Sequence, residues 1–89
     1  MAALDLLGRR WALRVLWELR DGPIGARALR ARCDSMSPSV LYERIRELRD
    51  AGLLVKNGDQ HYELTEMGRA LGAALDPLDH WAHRWSREL

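Results

Sequence analysis

The sequence contains few of the residue types that mark secreted or membrane-spanning proteins. Its one cysteine, Cys33, cannot form an internal disulfide, which is typical of proteins in a reducing cytosol. No apolar run approaches the ~18 residues that a membrane span needs, because arginine or aspartate interrupts each one. The first residues include no basic segment, and Asp5 lies within their apolar stretch, so a secretory signal is not expected. These absences predict a cytoplasmic protein.

A length of 89 residues is enough for one small domain, so residues 1–89 are predicted to fold as a single unit. The charged residues are unevenly distributed along it. Residues 1–56 carry 11 basic and 7 acidic side chains, whereas residues 57–89 carry 3 basic and 6 acidic ones. The basic front could face phosphate groups. Ordinary solvated surface charge explains the same distribution, so charge alone leaves the function open.

Apolar periodicity and capping residues predict three helices in the first part of the chain. Residues 9–20 form the first helix, and residues 25–33 form a shorter second one. The third helix has the clearest start, because Ser37 can cap it and Pro38 can occupy the first helical position, where a missing N–H group costs nothing. Gly52 is suited to close this helix in the left-handed conformation.

A β-hairpin and a long helix are predicted to follow. Residues 53–56 and 60–64 are typical of strands, and the Asn57-Gly58 pair between them favours a type I′ turn. Thr65 can cap a last helix whose apolar positions continue to the end of the chain, with a kink expected at Pro77. The order α-α-α-β-β-α, mainly helical with one small hairpin, indicates a winged helix-turn-helix with the hairpin as its wing.

Four segments together resemble a known family. They are the opening Gly8-Arg9-Arg10-Trp11-Ala12-Leu13-Arg14-Val15-Leu16-Trp17-Glu18-Leu19, the Gly22-Pro23 turn, residues 37–54, and Leu64-Thr65-Glu66-Met67-Gly68-Arg69. Over residues 6–85 the chain is similar to HxlR-type winged-helix transcriptional regulators, a branch of the MarR-like group. The resemblance implies a bacterial homodimer that forms through its terminal helices and binds palindromic operator DNA. The family usually carries a cysteine just before the first long helix; the leucine and aspartate found here imply that no redox switch exists at that position.

A helix-turn-helix places its third helix in the major groove of DNA. With Leu41 at the buried centre and about 100° per residue, the outward and marginal side chains are the expected base-reading set: Ser39, Val40, Tyr42, Glu43 and Arg46. Phosphate contacts are expected from the start of that helix and from basic side chains around it: Arg27, Arg30, Arg32, Ser37, Arg44, Lys56 and His61. Alternatively, the pairs Glu43–Glu47 and Arg46–Asp50 only solvate a surface helix.

The apolar stripe of the last helix is too long for so small a domain to cover alone. Its first part, from Met67 to Leu75, is expected in the domain core, and its later part in contact with a second copy. Residues 1–8 and 66–89 are therefore the predicted dimerisation elements. The expected interface side chains are Leu4, Leu7, Leu78, Trp81, Trp85 and Leu89, with Leu6 also able to pack on the partner.

Four tryptophans are many for a chain of this length. Trp11 and Trp17 lie on the first helix and are expected in the core. Trp81 and Trp85 are one turn apart on one face, so they could stack a flat aromatic effector in a groove between subunits. Plain interface packing also explains this second pair.

The sequence gives little support to a metal site, a reactive cysteine or an enzyme active site. Asp76, Asp79, His80 and His83 have spacings at which zinc can bind, but a polar helix face explains them, so no metal site or cofactor is predicted. Cys33 is expected to be a small buried residue; an exposed thiol activated by the adjacent Arg32 is the alternative. The sequence has no glycine-rich phosphate loop, and Ser35, Ser37 and Ser39 have no nearby histidine, so an enzyme is not expected.

Two functions from different classes remain at this point. The first is a dimeric, sequence-specific, DNA-binding transcriptional regulator. The second is a winged-helix module for protein contact with weak or no DNA binding. The second stays open because three acidic side chains balance the three arginines of the third helix, and because the wing is short.

Overall fold

The structure is a computed structural model that describes residues 2–34 and 36–89. In these residues five helices and one antiparallel hairpin follow in the order α1, Ala2–Leu7; α2, Ala12–Glu18; α3, Ala26–Arg32; α4, Pro38–Asp50; β1, Leu54–Lys56; β2, Tyr62–Leu64; and α5, Glu66–Arg87. The predicted winged helix-turn-helix is confirmed, with α1 as a helix that the sequence did not predict. None of the helices in the described residues combines the length and hydropathy that crossing a bilayer requires.

Two predicted caps form and begin the two longest helices. The Ser37 hydroxyl accepts a hydrogen bond from the Val40 backbone N–H at 3.3 Å, and Pro38 follows as the first helical residue. The Thr65 hydroxyl accepts from the Gly68 N–H at 3.1 Å and donates to the Gly52 carbonyl at 2.6 Å. Gly52 has φ of 77°, as predicted for the end of α4. Thr65 therefore joins the end of α4 to the start of α5.

The first predicted helix, residues 9–20, is shorter than expected. Trp11 has φ of 78°, a left-handed conformation that separates α1 from α2 by a turn. The turn is closed by the Ala12 N–H, which donates to the Arg9 carbonyl at 3.1 Å. The sequence signals no such break, because every residue from 9 to 20 is compatible with a helix.

The hairpin forms, but the predicted type I′ turn is wrong. Positive φ occurs at Gln60, with 63°, and not at Asn57 or Gly58. The Asn57 carbonyl accepts from the Gln60 N–H at 3.1 Å, and its side-chain oxygen accepts from the N–H groups of Asp59 and His61 at 2.9 and 3.1 Å. The asparagine side chain thus organises a three-residue loop in place of the tighter turn. The strands pair in the register Leu54↔Leu64 to Lys56↔Tyr62.

Every element from α2 to β2 contributes to one apolar core. Its fully buried side chains include Val15, Leu19, Leu29, Leu41, Leu48 and Leu54. The core also holds α5 against the hairpin at Gly68, where an added Cβ would lie 2.0 Å from the Leu53 carbonyl oxygen. A glycine is required there because α5 approaches the backbone so closely.

Helix α5 is continuous over 22 residues with Pro77 inside it. The expectation that its first part belongs to the core is wrong for Met67, which is 66% exposed. Gly68 is the buried residue of this helix, while Leu71 and Leu75 are half-buried. The core is smaller than the apolar stripe suggested, because the remaining length of α5 extends past the elements that could cover it.

Candidate nucleic-acid interface

Helices α3 and α4 place basic side chains around an aromatic one. A hollow of about 330 Å³ between them is lined by Arg27 and Arg30 of α3 and by Tyr42 of α4. The Arg30 guanidinium donates from Nε to the Met36 carbonyl at 2.6 Å, which fixes the stem of its side chain while the residue stays exposed. The hollow is therefore open to solvent and cationic on its α3 side.

A second groove of about 390 Å³ separates α4 from the hairpin. Tyr42 lines this groove as well, together with Arg46, Arg49, Val55 and others. Tyr42 and Val55 are exposed although they are apolar in large part. One face of the molecule thus combines aromatic, aliphatic and guanidinium groups from α3, α4 and the hairpin. We call it the α4 face and define it by Arg27, Arg30, Ser37, Ser39, Tyr42, Arg46, Arg49, Val55 and Lys56.

Most cations of the α4 face have no acidic partner. Within residues 2–34 and 36–89, no carboxylate lies within 4 Å of the charged groups of Arg27, Arg30, Arg49 or Lys56. Arg46 pairs with Asp50 at 3.5 Å, but both side chains are largely exposed, so the pair contributes little and can be exchanged. The face is consequently more basic than the formal charge of α4 suggests.

Three sequence-predicted contacts are placed differently. Arg44 was expected to contact phosphate; it is only 9% exposed and pairs with Glu47 and Glu43, so its guanidinium is not offered to a ligand. Val40 was expected to read bases, yet it is half-buried and packs against the core. Glu43 is exposed, but it lies within 3.5 Å of the Arg9 guanidinium.

The predicted phosphate contacts fall into two groups. His61 lies against Gly25, with its Cδ2 3.3 Å from where a Cβ would be, and lines a separate hollow of about 730 Å³ with Arg32. Lys56 lies over the Tyr62 ring at 5.8 Å, next to the groove between α4 and the hairpin. The wing is therefore split, with Lys56 on the α4 face and His61 towards α3.

Sequence reasoning missed Arg49 as a contact residue. Its side chain is exposed and lines the groove beside Arg46 and Tyr42. A helical projection could have found it, because Arg49 lies seven residues after Tyr42 and thus on nearly the same side of α4.

Comparison with known proteins decides the family. The profile described as HxlR-like helix-turn-helix matches residues 6–89. The chain belongs to this HxlR-like family. An uncharacterised HTH-type transcriptional regulator, YvaP of Bacillus subtilis, is 29% identical over 93% of this chain and 82% of its own. The quinone-bound crystal structure of YodB from B. subtilis superposes with a TM-score of 0.84, at 31% identity over 93% of this chain and 92% of that one.

A third comparison widens the range of source organisms. A crystal structure described as a possible HxlR family transcriptional factor from Thermoplasma volcanium has a TM-score of 0.84 and 28% identity, over 94% of this chain and 81% of that one. These findings make the chain an HxlR-type helix-turn-helix transcriptional regulator and not an enzyme.

Away from the α4 face, this HxlR-type regulator exposes an apolar stripe on α5. Trp81 and Trp85 are 57% and 52% exposed, and their rings stack in parallel with centroids 5.6 Å apart and an interplanar angle of 6°. The exposed members of the predicted interface are Leu4, Leu78, Trp81, Trp85 and Leu89. Leu7 is placed otherwise: it is half-buried and, with Leu6, packs against the core of its own chain.

The two tryptophans of the first predicted helix differ. Trp11 packs against the core as expected. Trp17 does not: it is half-buried and lines an apolar groove of about 350 Å³ between α2 and α5, together with Leu13, Leu75 and Leu78. The Arg20 guanidinium lies 3.9 Å from the centre of its ring, at the surface. The groove adjoins the exposed stripe of α5.

His83 contacts its own helix, and Cys33 lies in the core. The His83 Nδ1 lies 2.8 Å from the Asp79 carbonyl oxygen, and no metal-binding group of three or more ligands exists among the described residues. Cys33 is fully buried, as predicted, and burial raises the pKa of its thiol. Arg14 lowers that pKa by a smaller amount, so the thiol stays protonated at neutral pH.

Proposed function

We propose that the regulator binds palindromic operator DNA as a homodimer, with α4 of each subunit in a major groove. The α4 face carries this proposal, because it presents exposed hydrogen-bonding side chains on one helix, flanked by cations that have no acidic partner among the described residues. Phosphate neutralisation supplies affinity and base-edge contacts supply sequence preference. The α4 face offers both kinds of group.

The side chains divide by position. Ser39, Tyr42 and Arg46 lie on the exposed side of α4 and are the proposed base readers, and Arg46 is suited to a bidentate contact with guanine. Arg49 joins them at the groove beside the hairpin. The proposed phosphate contacts are Arg27, Arg30 and Lys56, with the backbone N–H groups at Ser37; Arg32 and His61 flank them.

The dimer is supported by the apolar stripe of α5. A small domain rarely exposes two stacked tryptophans and a leucine, Leu78, on one helix without a partner surface. Two-fold symmetry would pair this stripe with its copy and present two α4 helices to successive turns of DNA, which doubles the contacts that one short helix can make.

A salt titration of binding to an operator tests the proposal. The operator is selected from genomic fragments with the purified protein, and affinity is then measured by fluorescence anisotropy. A dimer that neutralises six to eight phosphates should lose about three to four decades of affinity between about 50 and 200 mM salt. A response that is independent of salt, or failure to retain any fragment, would instead favour a module for protein contact.

A second candidate function is the sensing of a flat aromatic molecule. The parallel, exposed pair Trp81 and Trp85 favours it, and so does the quinone bound by the related YodB. Aromatic rings stack well on such a pair. Titration with a hydroquinone should quench tryptophan fluorescence in the wild type and much less in the variant Trp81→Leu; equal quenching in both would reject this site.

A further inference from the structure

Four charged side chains form a closed cluster between the α1–α2 turn and α4. The Arg9 guanidinium contacts Glu47 at 3.0 Å through Nε and Glu43 at 3.5 Å through Nη2. From the other side, Arg44 pairs with Glu47 and lies 3.8 Å from Glu43. Two guanidinium groups thus face two carboxylates, and the cluster has no net charge.

The cluster removes both mid-helix carboxylates from the α4 face. Glu43 and Glu47 lie on the side of α4 that is turned towards Arg9, and Glu47 is largely buried there. Arg44 cannot balance both carboxylates by itself, since it is one buried cation between two anions. Arg9 supplies the second positive charge, and it comes from outside the helix-turn-helix.

The α1–α2 turn holds Arg9 in place for this contact. The Arg9 carbonyl accepts from the Ala12 N–H, and Trp11, two residues later, is left-handed and precedes the first residue of α2. Helix α2, which starts at this turn, packs on α4. The fold therefore places the Arg9 backbone beside α4, within reach of Glu43 and Glu47.

We propose that Arg9 is a positioning residue for DNA binding: it neutralises Glu43 and Glu47 and holds them away from the phosphate backbone, without contacting DNA. The inference rests on the proposed function of the α4 face. Without Arg9 the cluster would carry one net negative charge in the middle of the proposed recognition helix, and Glu43 would be free to turn towards DNA. Arg9 would thus give an apparently neutral helix a basic outer face.

The test compares four proteins on one operator: wild type, Arg9→Ala, Glu47→Gln, and the double variant. Arg9→Ala should weaken binding about three- to tenfold at about 0.1 M salt, because an unbalanced carboxylate then lies within a Debye length of phosphates. The double variant should return to within about twofold of the wild type, since Arg44 then balances Glu43 alone. Glu47→Gln alone should bind at least as tightly as the wild type.

The salt dependence separates positioning from direct contact. Arg9→Ala should lower the slope of log K against log salt, because salt screens the repulsion from the unbalanced carboxylate. The double variant should restore the wild-type slope, whereas loss of a direct phosphate contact would lower the slope by about 0.9 in both variants. Arg10→Ala is the matched control, because Arg10 is exposed in the same turn and its guanidinium lies over the Trp11 ring at 5.4 Å. This control should bind within about twofold of the wild type.

Several results would overturn the inference. They are wild-type affinity of Arg9→Ala with only a lower thermal midpoint, a salt slope that stays reduced in the double variant, no recovery of affinity in the double variant, or an equal loss in Arg10→Ala. If Arg9→Ala does not fold, Arg9→Gln removes the same charge with a shape closer to arginine, and the same outcomes apply. Absence of DNA binding by the wild type would reject the proposed function, and the inference with it.

Discussion

At the scale of single residues, arginines of similar sequence context have different surroundings. Arg44 and Arg46 are two positions apart on α4, yet Arg44 is buried between carboxylates and Arg46 is exposed on the α4 face. The sequence could place Ser39 and Arg46 on the outer side, because helical periodicity fixes direction. The same periodicity places Arg44 beside the buried Leu41 and Leu48, three and four residues away. What the sequence could not predict is the contact of Arg9 with Glu43 and Glu47, because it depends on where the α1–α2 turn lies.

Arg46 and Arg30 should affect DNA binding in different ways. Arg46→Ala is expected to reduce discrimination between the operator and single-base variants by about 1–3 kcal/mol at one position of each half-site. Arg30→Ala should weaken binding to all sequences alike and lower the salt slope. Anisotropy measurements on a set of single-base operator variants distinguish the two. Arg84→Ala, which changes an exposed arginine far along α5, serves as the control. Equal effects of the Arg46 and Arg30 substitutions would contradict the assignment of Arg46 to base reading and Arg30 to phosphate contact.

Cys33 should be unreactive while the protein is folded. Because the thiol is fully buried and its pKa is raised, alkylation at neutral pH should be at least about a hundredfold slower than in the urea-unfolded chain. Reaction is followed by mass spectrometry after iodoacetamide treatment. Rapid modification of the folded protein would show that the site opens easily and would restore the alternative of a reactive thiol.

The same thiol should make stability depend on pH at the alkaline end. Its folded pKa is above the ordinary value of 9.0, so the protonated thiol contributes stability that is fully present below that value and is lost as pH rises through the folded pKa. Unfolding free energy should therefore fall more steeply above pH 9 in the wild type than in Cys33→Ala. Parallel curves from urea titrations would contradict this.

At the scale of elements, local chemistry predicted where helices begin better than where they are interrupted. Ser37 and Thr65 cap α4 and α5 as expected, because a cap is satisfied by neighbours three residues away. The break at Trp11 and the helix α1 were not predicted. Helix α1 has only six residues, and Leu6 and Leu7 hold it by packing on a core that forms from distant parts of the chain.

Gly68 and Gly72 on α5 should respond oppositely to alanine. Gly68→Ala is expected to destabilise the fold by about 1–3 kcal/mol, because its Cβ would meet the Leu53 carbonyl oxygen at 2.0 Å, and backbone must move. Gly72→Ala has open space around the new Cβ and should stabilise by about 0.5–1 kcal/mol through helix propensity. Urea titrations give the free energy of unfolding of both variants. A higher value for Gly68→Ala than for the wild type would disprove the close approach of α5 to the Leu53 backbone.

At the scale of the whole molecule, the long dimension comes from α5. The chain measures 43 × 26 × 24 Å along its principal axes, and the stripe with Trp81 and Trp85 lies on the half of α5 after Pro77. The sequence predicted this stripe because its spacing is regular. It overestimated how much of α5 the domain covers, since Met67 faces solvent, and the partner surface remains a proposal.

Charges placed on the stripe should dissociate the proposed dimer. The double variant Trp81→Asp and Trp85→Asp is expected to sediment as a monomer, because two buried carboxylates would cost several kcal/mol in the interface. His80→Asp adds a charge to an exposed neighbouring position of the same helix and should keep the wild-type mass. Analytical ultracentrifugation measures the mass of each variant, and a soluble double variant with the wild-type mass would refute this interface.

The hydroxyl of Thr65 connects the helix-turn-helix with the long helix α5. It donates to the Gly52 carbonyl after α4 and accepts from the first turn of α5, so it links the two helices directly. In the proposed two-fold dimer, the angle between the two α5 helices would then determine how the two α4 helices are spaced along the DNA. A small change of that angle near Trp81 and Trp85 would move one α4 helix off its half-site, so binding at the end of α5 could release an operator without touching the DNA-facing side chains.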